Sequence, residues 1–224
     1  MKKIFILTLS IAITGLAFAQ NQPQPAPEKA RINGYANYVF DDKFDSYYDQ
    51  YNYYQGKITG GFQWGAGVEF MLRQNYSLEL MYLNQSTTAP TTYQGGIGST
   101  LKTENFDMNI GYLLLGGNRY MQKPGSKVEG FGGLGAGIAF LGVTNPSNGN
   151  KNNATKFGWT ARLGANIWAS ERFGIKVLAQ LLSIAQGFGG GLYFGTGGAG
   201  AGVSTYSSIY QFVLGGGLTF KVGQ

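Results

Sequence analysis

The chain has 224 residues, 43% hydrophobic and only 12% charged, with a formal net charge of +6 and with 37 glycines, 15 tyrosines and 15 phenylalanines. Soluble domains carry about twice that share of charge, so the surface is short of the groups that keep a protein in water, yet a mean hydropathy of −0.11 excludes a bundle of membrane helices. No cysteine or histidine is present, which removes disulfide frames, thiolate and imidazole metal sites, and Ser-His-Asp catalysis.

At the N-terminus, Lys2 and Lys3 precede the apolar run IFILTLSIAITGL, which leads into the small-x-small pattern AFAQ. Residues 1–19 are therefore expected to be a secretory signal peptide cleaved after Ala19, since the run is shorter than the roughly 20 residues of a membrane helix. Its loss lowers the charge from +6 to +4, and export with so small an excess argues against nucleic acid as a partner. Residues 20–30, QNQPQPAPEKA, are polar and proline-rich and read as an extended tether. One domain, residues 31–224, follows.

Within that domain the dominant period is two. From Phe62 to Leu72 the apolar residues Phe62, Trp64, Val68, Phe70 and Leu72 alternate with Gln63, Gly65, Gly67 and Glu69. From Phe157 to Trp168 the set Phe157, Trp159, Ala161, Leu163 and Ile167 alternates with Gly158, Thr160, Arg162, Gly164 and Asn166. The C-terminal YQFVLGGGLTFKV places Tyr210, Phe212, Leu214, Leu218, Phe220 and Val222 on one parity, with Gln211, Gly215, Gly217, Thr219 and Lys221 on the other. Such alternation describes strands whose two faces meet different solvents. Weaker versions span Arg31 to Phe40, Tyr76 to Tyr82, Glu104 to Leu114, Val128 to Leu141 and Phe173 to Ile184. The total is about eight strands of the length a tilted membrane strand needs.

The connections alternate as well: residues 41–57, 86–103, 142–155 and 185–206 are long, 73–75 and 169–172 are short, and 116–127 is moderate. The fold expected is all-β, a transmembrane antiparallel up-and-down β-barrel with short periplasmic turns, long extracellular loops and both termini periplasmic. A barrel of this size has an interior only wide enough for side chains, so the parity with glycine and charge belongs inside. The aromatics Tyr76, Tyr82, Phe106, Tyr112, Phe157, Trp159, Tyr210 and Phe220 are expected outside, many near strand ends as an interfacial girdle. Gly130, Gly132 and Gly135 in EGFGGLGAGIAF match G-x-G-x-x-G. The dinucleotide reading fails, because that turn needs a following helix and this segment continues as a strand.

The inner parity is expected to hold Arg31, Glu69, Glu79, Asp107, Glu129, Arg162, Lys176 and Lys221, with signs in balance. Two readings exist: a polar channel or proton path, and ion pairs that fill the lumen. The narrow interior favours the pairs, formed largely across the lumen, with Arg162 and Asp107 expected as one of them. The first long connection, DDKFDSYYDQYNYYQGK, gathers Tyr47, Tyr48, Tyr51, Tyr53 and Tyr54 among aspartates. Tyrosine gives contact area at low entropic cost, which suits a surface-binding loop; self-packing above the barrel mouth is the alternative. The aspartates lack the spacing of a calcium loop, so neither metal nor cofactor is expected. The last connection, GFGGGLYFGTGGAGAGVSTYS, is glycine-rich around Leu192, Tyr193 and Phe194.

Signal peptide, about eight alternating strands, alternating connections and the final strand YQFVLGGGLTFKV together resemble the small outer-membrane β-barrels of the OmpA and OmpX type, over about residues 30–222. The resemblance implies the outer membrane of a Gram-negative bacterium, contact with its lipid and lipopolysaccharide, and insertion by the barrel assembly machinery. It also implies a structural or surface role with interior charge networks. Members often end on an aromatic residue, whereas here Phe220 is followed by KVGQ. The alternatives are a small porin-like channel and a transporter of small or apolar solutes. Barrel enzymes on similar scaffolds rely on histidine, so no enzymatic activity is expected.

Overall fold

The computed structural model describes residues 29–49, 52–73, 75–95, 100–185, 191–193, 200–202 and 209–223; the expected signal peptide and residues 20–28 of the tether lie outside them. Among the described residues twelve strands occur in order: β1 (Ala30–Val39), β2 (Asp42–Asp49), β3 (Asn52–Ile58), β4 (Gly61–Arg73), β5 (Tyr76–Gly95), β6 (Lys102–Gln122), β7 (Val128–Thr144), β8 (Lys151–Trp168), β9 (Phe173–Ala185), β10 (Gly191–Tyr193), β11 (Gly200–Gly202) and β12 (Ile209–Val222). Eight of them, β1, β4, β5, β6, β7, β8, β9 and β12, pair antiparallel in that order. The ring closes through β12 and β1, from Ala30↔Val222 to Val39↔Val213. A closed ring leaves no strand edge inside a membrane, where an unpaired backbone group has no partner.

The outward face explains where such a ring can live. Ile32, Phe62, Phe70, Leu80, Leu115, Leu134, Leu163, Phe212 and Leu218 all project from it, with Leu134 71% and Leu163 69% exposed. An apolar belt around the whole circumference is a lipid-facing surface, far beyond the scattered apolar patches of soluble proteins. Aromatic clusters mark its two borders. Tyr38, Phe40 and Phe212 stack at one end, with Phe40 and Phe212 centroids 5.6 Å apart, and Phe173 and Phe220 meet at 5.0 Å at the other.

The wall is uneven in height. β1, β4, β9 and β12 have 10 to 14 residues, whereas β5, β6, β7 and β8 have 20, 21, 17 and 18, about twice what a tilted membrane strand requires. Several of the expected loops are thus strand. β5 and β6 run through most of 86–103, and the hairpin of β2 and β3 occupies most of 41–57, with β3 paired to β5. At the other end the moderate connection 116–127 shrinks to a turn in which Ser126 N–H donates to the Lys123 carbonyl at 3.0 Å. Pro124 precedes Gly125 there, whose φ of 75° is the left-handed conformation that a proline–glycine turn demands.

The tall wall reverses its solvent preference. In the belt, β6 presents Leu113 and Leu115 outward, but further along the same face carries Asp107 and Asn109, exposed, while Phe106, Met108, Ile110 and Tyr112 are buried inside. The neighbouring strands agree, with Asn84 and Ser86 of β5 hydrogen-bonded to Asn109 at 3.0 and 3.1 Å on the outer surface. Beyond the lipid belt the barrel is therefore built like a soluble one, polar outside and apolar inside.

Candidate functional site

The interior of the ring is layered. In the half nearest the short turns, Arg31 of β1 reaches across to Glu129 of β7, diametrically opposite in the ring, and donates to both carboxylate oxygens at 2.7 and 3.0 Å. Its guanidinium also lies 4.4 Å from the Tyr120 ring and 5.1 Å from that of Trp168, and Asn166 donates to Glu129 at 2.9 Å. One step deeper, Arg162 of β8 pairs with Glu79 of β5. Both are fully enclosed, with side-chain exposures of 2% and 0%.

Neutral side chains stitch these charges together. Asn33 donates to Glu69 at 3.1 Å and to Glu79 at 2.9 Å; Asn118 does the same at 2.9 and 3.2 Å while accepting from Arg162. The hydroxyls of Tyr35, Ser77 and Tyr120 donate to the same two carboxylates. Lys176, also buried, makes no hydrogen bond among the described residues and sits over Phe131, 4.8 Å from the ring centroid, and Tyr35, at 5.7 Å. Three cations thus face three carboxylates in a compartment excluded from water, as buried charge requires.

Above this compartment lies a neutral layer. Asn37 donates to Gln63 at 3.1 Å, and Gln211 accepts from Tyr112 at 2.8 Å and donates to Gln85 at 3.0 Å. Higher still the inner face is mostly apolar, with Ile58, Phe106, Met108, Ile110, Leu141 and Val143 buried together, and the buried Lys156 of β8 as a charged exception.

The expected residues separate accordingly. Arg31, Glu69, Glu79, Glu129, Arg162 and Lys176 come together in the charged compartment. Lys221 stands at its mouth, half-buried, with its ammonium 4.0 Å from the Trp168 ring. Asp107 does not join them. The inward parity of β6 is that of Phe106 and Tyr112, so the expected Arg162–Asp107 pair is replaced by Arg162–Glu79, and Phe106 and Tyr112 leave the outer girdle. The polar partners Asn33, Tyr35, Ser77, Asn118, Tyr120 and Asn166 went unrecognised in the sequence. Their signal is parity: Asn33 and Tyr35 follow Arg31 by two and four, Ser77 precedes Glu79 by two, and Asn166 follows Arg162 by four.

Tyr47 and Tyr48 fall on β2 and Tyr53 and Tyr54 on β3, with Tyr47 opposite Tyr53; Tyr51 lies outside the described residues. At the base of that hairpin the Asp41 carboxylate accepts from Lys57 and from the Gly60 N–H, both at 2.7 Å. These bonds hold its pKa below the ordinary aspartate value. Gly130, Gly132 and Gly135 lie within β7, paired to β6 and β8.

No family model matches the chain, and no curated protein matches it either. Solved structures do. The crystal structure of Neisserial surface protein A aligns at 10% identity over 86% of this chain and 97% of that one, with a TM-score of 0.54. That of the outer membrane protein OprG from Pseudomonas aeruginosa aligns at 15% identity over 88% and 97%, with a TM-score of 0.56. With its closed ring of eight antiparallel strands and its apolar belt, the chain has the fold of the small outer-membrane β-barrels, the OmpA- and OmpX-like architecture.

Proposed function

We propose that the protein is an integral barrel of a Gram-negative outer membrane, with both termini periplasmic, and that it serves a structural or surface-interaction role while charge pairs keep its lumen closed. The observation that carries this reading is the enclosed Arg162–Glu79 pair with its bridging asparagines. A hydrated conduction path would have to break that network, at a cost of several kcal/mol for each charge left unpaired. Lipopolysaccharide and lipid surround the belt, and the assembly machinery inserts it. The tyrosine-bearing hairpin, raised above the belt, is the surface offered to an external ligand.

Planar-bilayer recording tests the closed lumen. The wild type should give small or rare steps, and Arg162→Ala larger ones; stable, large steps from the wild type would overturn the reading. A second reading, passage of apolar solutes, draws on the apolar inner face of the tall wall. It predicts faster uptake of an apolar solute by cells making the protein, with no change in ion conductance. For the hairpin, changing Tyr48, Tyr51 and Tyr54 to Ser should reduce cell adhesion without affecting folding, and unchanged adhesion would remove it as a binding surface.

A further inference from the structure

The charges outside the lumen are shared unequally between the two ends. At the short-turn end Lys29, Arg73, Arg119, Lys123, Lys127 and Arg172 are exposed or half-buried, against Glu171 among the described residues. Among the described residues none of the six forms an ion pair. At the opposite end lysines and carboxylates nearly balance, and Lys57 pairs with Asp41 at 2.7 Å. A rim with such an excess of cations concentrates anions.

Two of these cations form an ordered group. Arg73 of β4 is in register with Tyr76 of β5, and Tyr76 with Arg119 of β6, so an Arg-Tyr-Arg row crosses three neighbouring strands. Strand spacing puts the two arginine positions about 10 Å apart, close enough for both long side chains to reach one headgroup. The Arg119 guanidinium lies 5.7 Å from the Tyr76 ring on the outer surface. The apolar wall begins next to the row, with Leu78, Leu115 and Leu134 facing outward. The apolar surface thus adjoins a row in which an interfacial aromatic ring stands between two planar phosphate donors, groups complementary to the acyl chains and headgroup of a membrane lipid.

We propose that the Arg73–Tyr76–Arg119 row binds the phosphate of an anionic phospholipid headgroup in the periplasmic leaflet. The leaflet assignment rests on the topology proposed above; the chemistry of the row does not.

The test uses the protein purified from membranes in detergent and incubated with equal amounts of phosphatidylglycerol and phosphatidylethanolamine, with bound lipid read by native mass spectrometry. The wild type should retain phosphatidylglycerol preferentially. Arg73→Gln combined with Arg119→Gln should reduce that preference about twenty-fivefold, at about fivefold for each cation removed near a lipid surface. Arg73→Lys with Arg119→Lys should keep most of it, and Lys102→Gln with Lys151→Gln, at the other end, should keep all of it. Heat-modifiable gel migration shows whether each variant is folded. Equal retention of the two lipids by the wild type, or an undiminished preference in the folded glutamine variant, overturns the proposal. Lipid A displacing phosphatidylglycerol from the same two arginines overturns the leaflet assignment. A conducting lumen would leave all of these results unchanged, so the two readings fail separately.

Discussion

Glu79 accepts from Asn33, Tyr35, Asn118 and Arg162 at once, so its charge is neutralised by geometry that single substitutions undo. Arg162→Ala should destabilise the barrel by about 3–5 kcal/mol, because a carboxylate is left buried without its cation. Arg162→Glu combined with Glu79→Arg should recover part of that loss, while Asp107→Ala should stay within about 0.5 kcal/mol, as an exposed position does. Urea titration in lipid vesicles measures all three. Gly217 makes a second point at this scale: a Cβ there would lie 1.7 Å from the Gly34 carbonyl oxygen across the closing seam, a backbone atom that cannot rotate away. Gly217→Ala should therefore cost about 1–3 kcal/mol through overpacking, read in the same titration. Most of the lumen charges were legible in the sequence because lipid tolerates no charge on the other parity, but Asp107 was placed there wrongly and the buried Lys156 was missed. Which charge meets which was not legible, since pairing depends on ring order and stagger, and Arg31 and Glu129 are 98 residues apart.

β6 shows what alternation can and cannot reveal. Phe106, Met108, Ile110 and Tyr112 alternate with Asp107, Asn109 and Gly111 as clearly as any lipid-facing strand, yet they point inward. Period two reports that the faces differ, and only the register with β5 and β7, Thr88↔Asp107↔Thr144, says which is which. The expected lipid face was correct for β4, β8 and β12, whose apolar parity lies within the belt. It failed where the strand leaves the belt. Cysteine placed at Asp107 should react with a membrane-impermeant maleimide on vesicles, and cysteine at Leu115 should not. Leu115→Arg should cost about 2–4 kcal/mol, the cost of a cation on the lipid face near mid-membrane.

The β2–β3 hairpin offers a pH dependence at the same scale. Asp41 is held below its ordinary pKa by Lys57 and Gly60, so its contribution is present above the unfolded-state value and lost as pH falls through the lowered one. Protection of the Gly60 amide against hydrogen exchange should persist at mildly acidic pH, disappear at lower pH, and be weak throughout in Asp41→Ala.

Over the whole molecule, the long and short connections sort onto opposite ends, and an excess of cations marks the short-turn end. Surface protease on intact cells should cut within residues 145–150 and spare the turns at 123–127 and 169–172; cleavage at the turns would reverse the proposed orientation. The signature of the tall wall was partly legible as polar connecting segments, but Thr, Asn and Gln run as strand there because β5 and β6 template each other over eighteen consecutive pairs, from Tyr76↔Arg119 to Tyr93↔Lys102.

The seam between β1 and β12 is as regular as any internal pairing, and it brings the Gly223 α-carbon region against the Lys29 side chain, with contacts near 3.3 Å for an added Cβ. The connectivity is therefore cyclic in all but one bond. A circular permutant that joins residue 29 to residue 223 through a short Gly-Ser linker and opens between Asn148 and Gly149, where φ is already 72°, should fold to the same heat-modifiable ring, because adjacent ends and an exposed opening site are what permutation needs. The same linker with new ends between Leu114 and Leu115, in the middle of β6, should not. The order in which the strands are synthesised is then no part of what specifies the barrel; the order in which they neighbour one another is.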